Sequence, residues 1–206
     1  MLQESKRTLF PALLFLLCAL PASASNYMEP KGQILGGSPD SPVRIEVFSN
    51  FECTHCREYY LRTIKKVLKE YSSKDKVCVI YHDFPFESHK YDRKASRYAE
   101  AASRIGRDTL IKVYDAFYTD QATWSENGKL ESTLEKALTG DEFQQVMKFS
   151  EDPEIESLIQ AQYQLAIDKG CTSTPTSFIF YSGKEKRVEG VLTYIVLKGF
   201  IEKIIK

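Results

Sequence analysis

The sequence predicts an α/β fold ordered β-β-α-β, then a helical insertion, then β-β-α. Three observations point to it. Alternating apolar and polar residues with β-branched members mark strands at 43–48 and 76–84. Apolar residues at helical spacing follow the first of these, and no strand pattern interrupts residues 88–168. A last strand, a hairpin signal and an apolar helix close the chain. The bulk composition agrees with a single domain carrying an insertion: 206 residues, 43% of them apolar. Lys and Arg number 28 against 28 Asp and Glu, which excludes a nucleic-acid binder that works by bulk charge. Five cysteines are too sparse for a small disulfide-stapled scaffold.

The amino terminus reads as a targeting segment. Lys6 and Arg7 precede an apolar run from Leu9 to Leu20, and Pro21 leads into Ala22-Ser23-Ala24, a small-x-small cleavage site. As a helix, the run reaches about 18 Å, short of a hydrocarbon core of about 30 Å. Residues 1–24 are therefore expected to be a removable signal peptide, and the mature chain to be exported to the periplasm. The alternative is an uncleaved anchor holding the protein on the outer face of the membrane. Leu17 before Cys18 is too large for a lipid-attachment site, so Cys18 is expected to leave with the signal.

The first strand, Val43-Arg44-Ile45-Glu46-Val47-Phe48, runs into Cys53-Thr54-His55-Cys56. Tyr60, Ile64, Val67, Leu68 and Tyr71 then recur at helical spacing. The C-x-x-C thus sits where a strand becomes a helix, and free N–H groups and the positive dipole end stabilise a thiolate there. Cys53 lies at the outer edge of the turn and Cys56 one turn deeper, which offers a nucleophile and a shielded partner. The imidazole of His55 can lower the Cys53 pKa further; the plainer alternative is a solvated side chain at a helix start. Zinc is the first competing use of the cysteines. It needs four ligands, and the chain has one C-x-x-C and three histidines, none paired at ligand spacing, so Cys78 or Cys171 would have to join. A purely structural disulfide is the other; a two-residue gap makes a strained ring, and strained bridges are the labile ones.

Lys76 to Phe84 reads as a strand parallel to the first, with Cys78 as a small core residue. Tyr91 to Ile105 follows as a helix stopped by Gly106, and Asp108 caps the next, with Leu110, Val113, Tyr114 and Phe117 inward. Leu130, Leu134 and Leu138 form a third, and Asp141 opens a short segment with Phe143 and Val146. Asp152-Pro153 is an N-cap and first-turn pair for a helix running to Gly170. Thr174-Pro175-Thr176 then precedes the strand Ser177–Tyr181 and a Ser182-Gly183 hairpin; proline there marks a strand start or a cis turn.

The chain resembles the DsbA-like thiol–disulfide oxidoreductases of the thioredoxin-fold superfamily. The resemblance rests on Gly37-Ser38-Pro39-Asp40-Ser41-Pro42-Val43, Val47 through Cys56, Asp83-Phe84-Pro85-Phe86, Tyr114-Asp115-Ala116-Phe117-Tyr118 with Gln121, and Thr174-Pro175-Thr176. It implies a thioredoxin fold formed by residues 25–87 and 169–206, with 88–168 as the inserted helical domain. It implies that Cys53 attacks and Cys56 resolves, that Pro175 follows a cis bond facing their disulfide, and that Thr174 beside it holds an extended substrate. Thr54 stands where proline is frequent in the family. Val47 stands where many members carry an acid, and Glu46 points to the opposite face of its strand.

The expected function is exchange of disulfides with cysteine-containing exported proteins, chiefly their introduction, by a monomeric enzyme needing no metal or organic cofactor. The resemblance implies reoxidation by a membrane partner of the DsbB type. Two alternatives stay open: a reductase or isomerase of the same fold, and a non-catalytic chaperone or metal-binding module. Cys78 and Cys171 are expected to remain unpaired, Cys171 as an accessory thiol towards the site.

Overall fold

The computed structural model describes residues 32–206; residues 1–24, expected to be a signal peptide, and Cys18 among them lie outside the described residues. Five strands form one mixed sheet in the order β1-β3-β2-β4-β5. They are β1 (Gln33–Gly36), β2 (Val43–Ser49), β3 (Val77–Asp83), β4 (Thr176–Tyr181) and β5 (Lys184–Glu189). β2 and β3 are parallel, with Val43 opposite Val77 and Ser49 opposite Asp83, so both end at the same edge. β1 pairs antiparallel with β3, and β4 with both β2 and β5. The Ser182-Gly183 turn has φ of 48° and 72°, the left-handed pair that matches the twist of a two-residue hairpin. β5, Lys-Glu-Lys-Arg-Val-Glu, is an exposed edge guarded by charge.

Alternation along the strands makes two apolar faces. Val43, Ile45 and Val47 share a buried core with Val79, Tyr81 and Ile179. That core is completed by Tyr59, Tyr60, Ile64 and Val67 from the crossover helix and by Leu197 and Ile201 from the last helix. The crossover comprises α1 (Thr54–Tyr59), a π-helical turn at Tyr60–Ile64 and α2 (Lys65–Glu70). The wider π turn changes the inward stripe read from a plain 3.6 period: Tyr59 and Tyr60, adjacent in sequence, are both fully buried. On the other sheet face, Phe48 and Phe178 pack with Phe84, Ala166 and Cys171.

Between β3 and β4 lie α3 (Asp92–Ile105), α4 (Arg107–Thr119), α5 (Gln121–Asn127), α6 (Leu130–Ala137), α7 (Gly140–Ser150) and α8 (Pro153–Asp168). Asp152 caps α8 as expected, its carboxylate accepting the Glu154 N–H. Thr139 and Glu142 form a reciprocal capping box on α7. Two details differ from the sequence pattern. Gly106, not Asp108, starts α4, because one glycine ends α3 and begins α4 without a linker. The short α5 has no counterpart in the pattern; its one large inward residue, Trp124, gives no periodicity to detect, and its indole donates to Phe117 O at 2.7 Å. α9 (Tyr194–Ile204) closes the chain.

Candidate active site

Cys53 is the N-cap residue of α1. Its extended backbone turns the chain from the sheet edge into the helix, and its sulfur accepts the Cys56 N–H at 3.4 Å. Cys53 is partly exposed and Cys56 only 1% exposed, both as free thiols. The two have opposite acidity. Hydrogen bonding from the Cys56 thiol, and then from the Thr174 side chain and the N–H groups of Cys56 and His55, outweighs burial and lowers Cys53 to about 5. Burial drives Cys56 well above an ordinary thiol, and the adjoining Cys53 sulfur adds to the rise.

The Thr174–Pro175 bond is cis, and the Thr174 carbonyl oxygen lies 3.4 Å from Cys53 Sγ. Gly190 N–H donates to Pro175 O at 2.8 Å, tying this turn to the end of β5. The sequence-expected residues Cys53, Cys56, Thr174 and Pro175 therefore meet at one place, although 121 positions separate Cys53 from Thr174. His55 is exposed, and its contribution to Cys53 runs through its backbone N–H.

A polar frame fixes the segment that leads into Cys53. Asn50 forms an Asx turn, its side-chain oxygen accepting the Glu52 N–H at 2.9 Å while its carbonyl accepts the Cys53 N–H at 3.2 Å. Buried Gln121 donates to the carbonyls of Phe51 and Cys53 at 2.6 and 3.1 Å. Arg57 Nε donates to Tyr118 O at 3.1 Å. Phe51 sits in an aromatic nest, with ring centroids 4.9, 5.5 and 5.2 Å from Tyr114, Phe117 and Tyr118. Such contacts lock the loop to α4 by dispersion and by burial. Asp92, at the start of α3, accepts the Phe51 N–H at 2.5 Å. Sequence alone does not reveal its role at the site, because an acid in a first helical turn ordinarily answers the dipole.

The other acids and thiols fall outside this constellation. Glu46 faces away from Val47, bonded to Arg44 at 2.8 Å and 3.5 Å from His82, and these partners hold it ionised against its own burial. Cys78 is buried in β3 and raised by that burial. Cys171, expected as an accessory thiol, is instead 3% exposed in the Phe48–Phe178 cluster, where burial pushes it up to about 11. A thiol so placed is protonated and poorly nucleophilic. No group of metal-ligating side chains occurs among the described residues, and none of their helices is long and apolar enough to cross a membrane.

Known proteins bear on the same elements. The chain is 30% identical over 98 residues to the probable disulfide bond formation protein D of Bacillus cereus, a match covering 48% of this chain and 45% of that one. The Bacillus anthracis protein of the same name matches over the same extent. The chain thus spans about half the length of the curated relatives it matches. Among solved structures, Pseudomonas aeruginosa DsbA2 superposes with a TM-score of 0.66 at 23% identity, covering 84% of this chain and 93% of that one. Wolbachia pipientis alpha-DsbA1 gives 0.67 at 20% identity, covering 92% and 94%. The family profile described as thioredoxin runs from residue 29 to 203, through every strand of the sheet and both halves of the thiol site. The chain belongs to the thioredoxin family, and its fold is that of the DsbA proteins.

Proposed function

We propose that this protein is an exported thiol–disulfide oxidoreductase that introduces disulfides into exported proteins through Cys53 and Cys56. The observation that carries the proposal is the placing of the pair: accessible Cys53 caps α1 with its sulfur 3.4 Å from the Thr174 carbonyl before cis Pro175, and Cys56 is buried behind it. Cys53 lowered to about 5 and Cys56 raised support it. In the oxidised enzyme, a substrate thiolate attacks Cys53 Sγ, the Cys53–Cys56 bond breaks, and Cys56 leaves and takes a proton. A second substrate thiolate attacks the substrate sulfur of the mixed disulfide, and Cys53 leaves as a thiolate. Two substrate thiols are oxidised to one disulfide; the enzyme keeps one thiolate and one thiol, and one proton goes to solvent. A leaving thiol of low pKa departs faster, and its stability as thiolate makes the disulfide form the stronger oxidant.

In this proposal Thr174 and Pro175 present backbone to an extended substrate segment beside Cys53. His55 acts through its N–H and, when protonated, through the charge of its ring. The enzyme works as a monomer in the periplasm, and a DsbB-like membrane protein restores its disulfide. The test is oxidation of a reduced, thiol-rich substrate protein by the purified oxidised enzyme. Cys53→Ser abolishes disulfide transfer; Cys56→Ser, offered a substrate protein that already carries a disulfide, attacks it through Cys53, releases one substrate thiol and accumulates the mixed disulfide, visible by mass. A parent protein that transfers no disulfide but binds the substrate protein as well with Cys53→Ser as without it supports a binding module instead.

A further inference from the structure

Asp92 is a buried acid that the exchange chemistry above does not use. It is fully excluded from solvent; Oδ1 accepts the Phe51 N–H, while Oδ2 is buried without a hydrogen-bond partner. Two residues beyond Phe51 is Cys53. Between them Glu52 turns back, and its Oε2 accepts the N–H groups of Tyr91 and Asp92 at 2.6 and 2.7 Å. The start of α3 and the strand leading to Cys53 are thus stapled by two carboxyl groups side by side. The charged groups acting on Asp92 are negative, Glu52 and Cys53 from the loop, and Asp92 in turn raises buried Asp83 of β3. Among the described residues Asp92 has no cationic partner. An asparagine would accept the Phe51 N–H equally well, so what the carboxyl adds is its ability to ionise.

We propose that Asp92 is a positioning residue that takes up a proton when reduction turns Cys53 into a thiolate, coupling the oxidising strength of the site to pH. A buried negative charge on the carboxyl that holds the Phe51 N–H, two residues before a thiolate, with Glu52 negative between them, is disfavoured in a low-dielectric interior. Burial first, then the Glu52 carboxylate and last the Cys53 sulfur push Asp92 up to about 8 in the reduced protein, against the pull of the Phe51 and Glu52 N–H groups. In the oxidised protein the sulfur carries no charge, and the same carboxyl ionises more readily. At alkaline pH the proton released by substrate oxidation passes to Asp92 in place of solvent: two substrate thiols and the enzyme disulfide with an Asp92 carboxylate become a substrate disulfide, a Cys53 thiolate, a Cys56 thiol and an Asp92 carboxylic acid. Oxidising strength is accordingly restrained as pH rises through the Asp92 titration.

The inference rests on the oxidoreductase proposal and is tested by the glutathione equilibrium constant of the purified full chain and of Asp92→Asn. For each unit by which the thiolate raises Asp92, the variant is expected to be reduced about five- to tenfold more readily than the parent at about pH 8.5. At about pH 6, about two units below the titration in the reduced protein, the two converge to within about twofold. A ratio that stays constant with pH overturns the inference, since a merely structural role shifts both conditions alike. A parent protein that glutathione does not reduce at either pH overturns the oxidase proposal instead. Should the variant misfold, the Asp92 carboxyl carbon resonance of the labelled parent decides the same question. Its midpoint must be higher in the reduced than in the oxidised protein, and equal midpoints contradict the coupling.

Discussion

Reducing the Cys53–Cys56 disulfide should stabilise the fold in a way that vanishes in acid. Cys53 is lowered to about 5 in the folded, reduced protein, whereas an unfolded cysteine titrates near 8.5. A group depressed by folding contributes stability that is complete above its unfolded value and is lost as pH falls through its folded value. At about pH 6.5 the folded thiolate is therefore worth roughly 1.5 units, or about 2 kcal/mol, relative to pH 4. Cys53 is partly exposed, so solvent screening cuts this to about 1 kcal/mol. For a chain of this size that is about 2–4 °C in Tm. The assay is thermal unfolding of the reduced and oxidised proteins at both pH values. The constraint that the disulfide places on the unfolded chain does not depend on pH and cancels in the comparison. A reduced-minus-oxidised difference that stays flat between about pH 4 and 6.5 would refute the thiolate argument.

Phe51→Ala empties the nest formed by Tyr114, Phe117 and Tyr118 and should cost about 3–5 kcal/mol in urea unfolding. It should also slow exchange, because Phe51 ties the Cys53 loop to α4. His55→Ala should raise the Cys53 midpoint, followed by thiolate absorbance, by less than about 1 unit, since the exposed ring is screened and the backbone N–H remains. Buried Asp83 and Glu100 are bridged by Gln33 at 3.0 and 2.8 Å; desolvation raises both, Glu100 adds to the rise of Asp83, and the amides of Gln33 and Gln162 pull Glu100 back. Groups raised by folding withdraw stability as pH climbs above their unfolded values. Glu100→Gln, which can keep an acceptor for Gln33 and Gln162, should flatten the alkaline loss of stability measured by urea unfolding. Glu100→Ala should instead cost about 1–3 kcal/mol at every pH by leaving one N–H of Gln33 and one of Gln162 without an acceptor. Thr139→Ala should remove the α7 capping box and about 1 kcal/mol, read from the same unfolding curves.

The strands and long helices are legible in the sequence because each is amphipathic along its own length. β2 alternates over Val43–Val47, β3 is a short β-branched apolar run, and α8 is announced by Asp152-Pro153. Cys53 and Cys56 are legible from a spacing only a few chemistries use, and Thr174-Pro175 from its place before a strand. Less accessible is whatever depends on distant pairing. The π turn that buries Tyr59 beside Tyr60 leaves no periodic trace. The burial of Cys171 depends on Phe48 and Phe84, more than 80 positions away. Asp92 looks like an ordinary first-turn acid until Phe51 is seen to donate to it. The same residue type in the same local pattern serves a solvated helix start or a buried site, and only the fold distinguishes the two.

The most direct test of the oxidase assignment is the equilibrium of the purified protein with reduced and oxidised glutathione at neutral pH, read by mass or by alkylation of Cys53. A thiolate stabilised at the start of α1 favours the dithiol, so glutathione should reduce the Cys53–Cys56 disulfide readily, with an equilibrium constant nearer that of strongly oxidising thiol enzymes than that of thioredoxin. A disulfide that persists at glutathione concentrations able to reduce an ordinary oxidase would contradict the assignment and give the site to reduction.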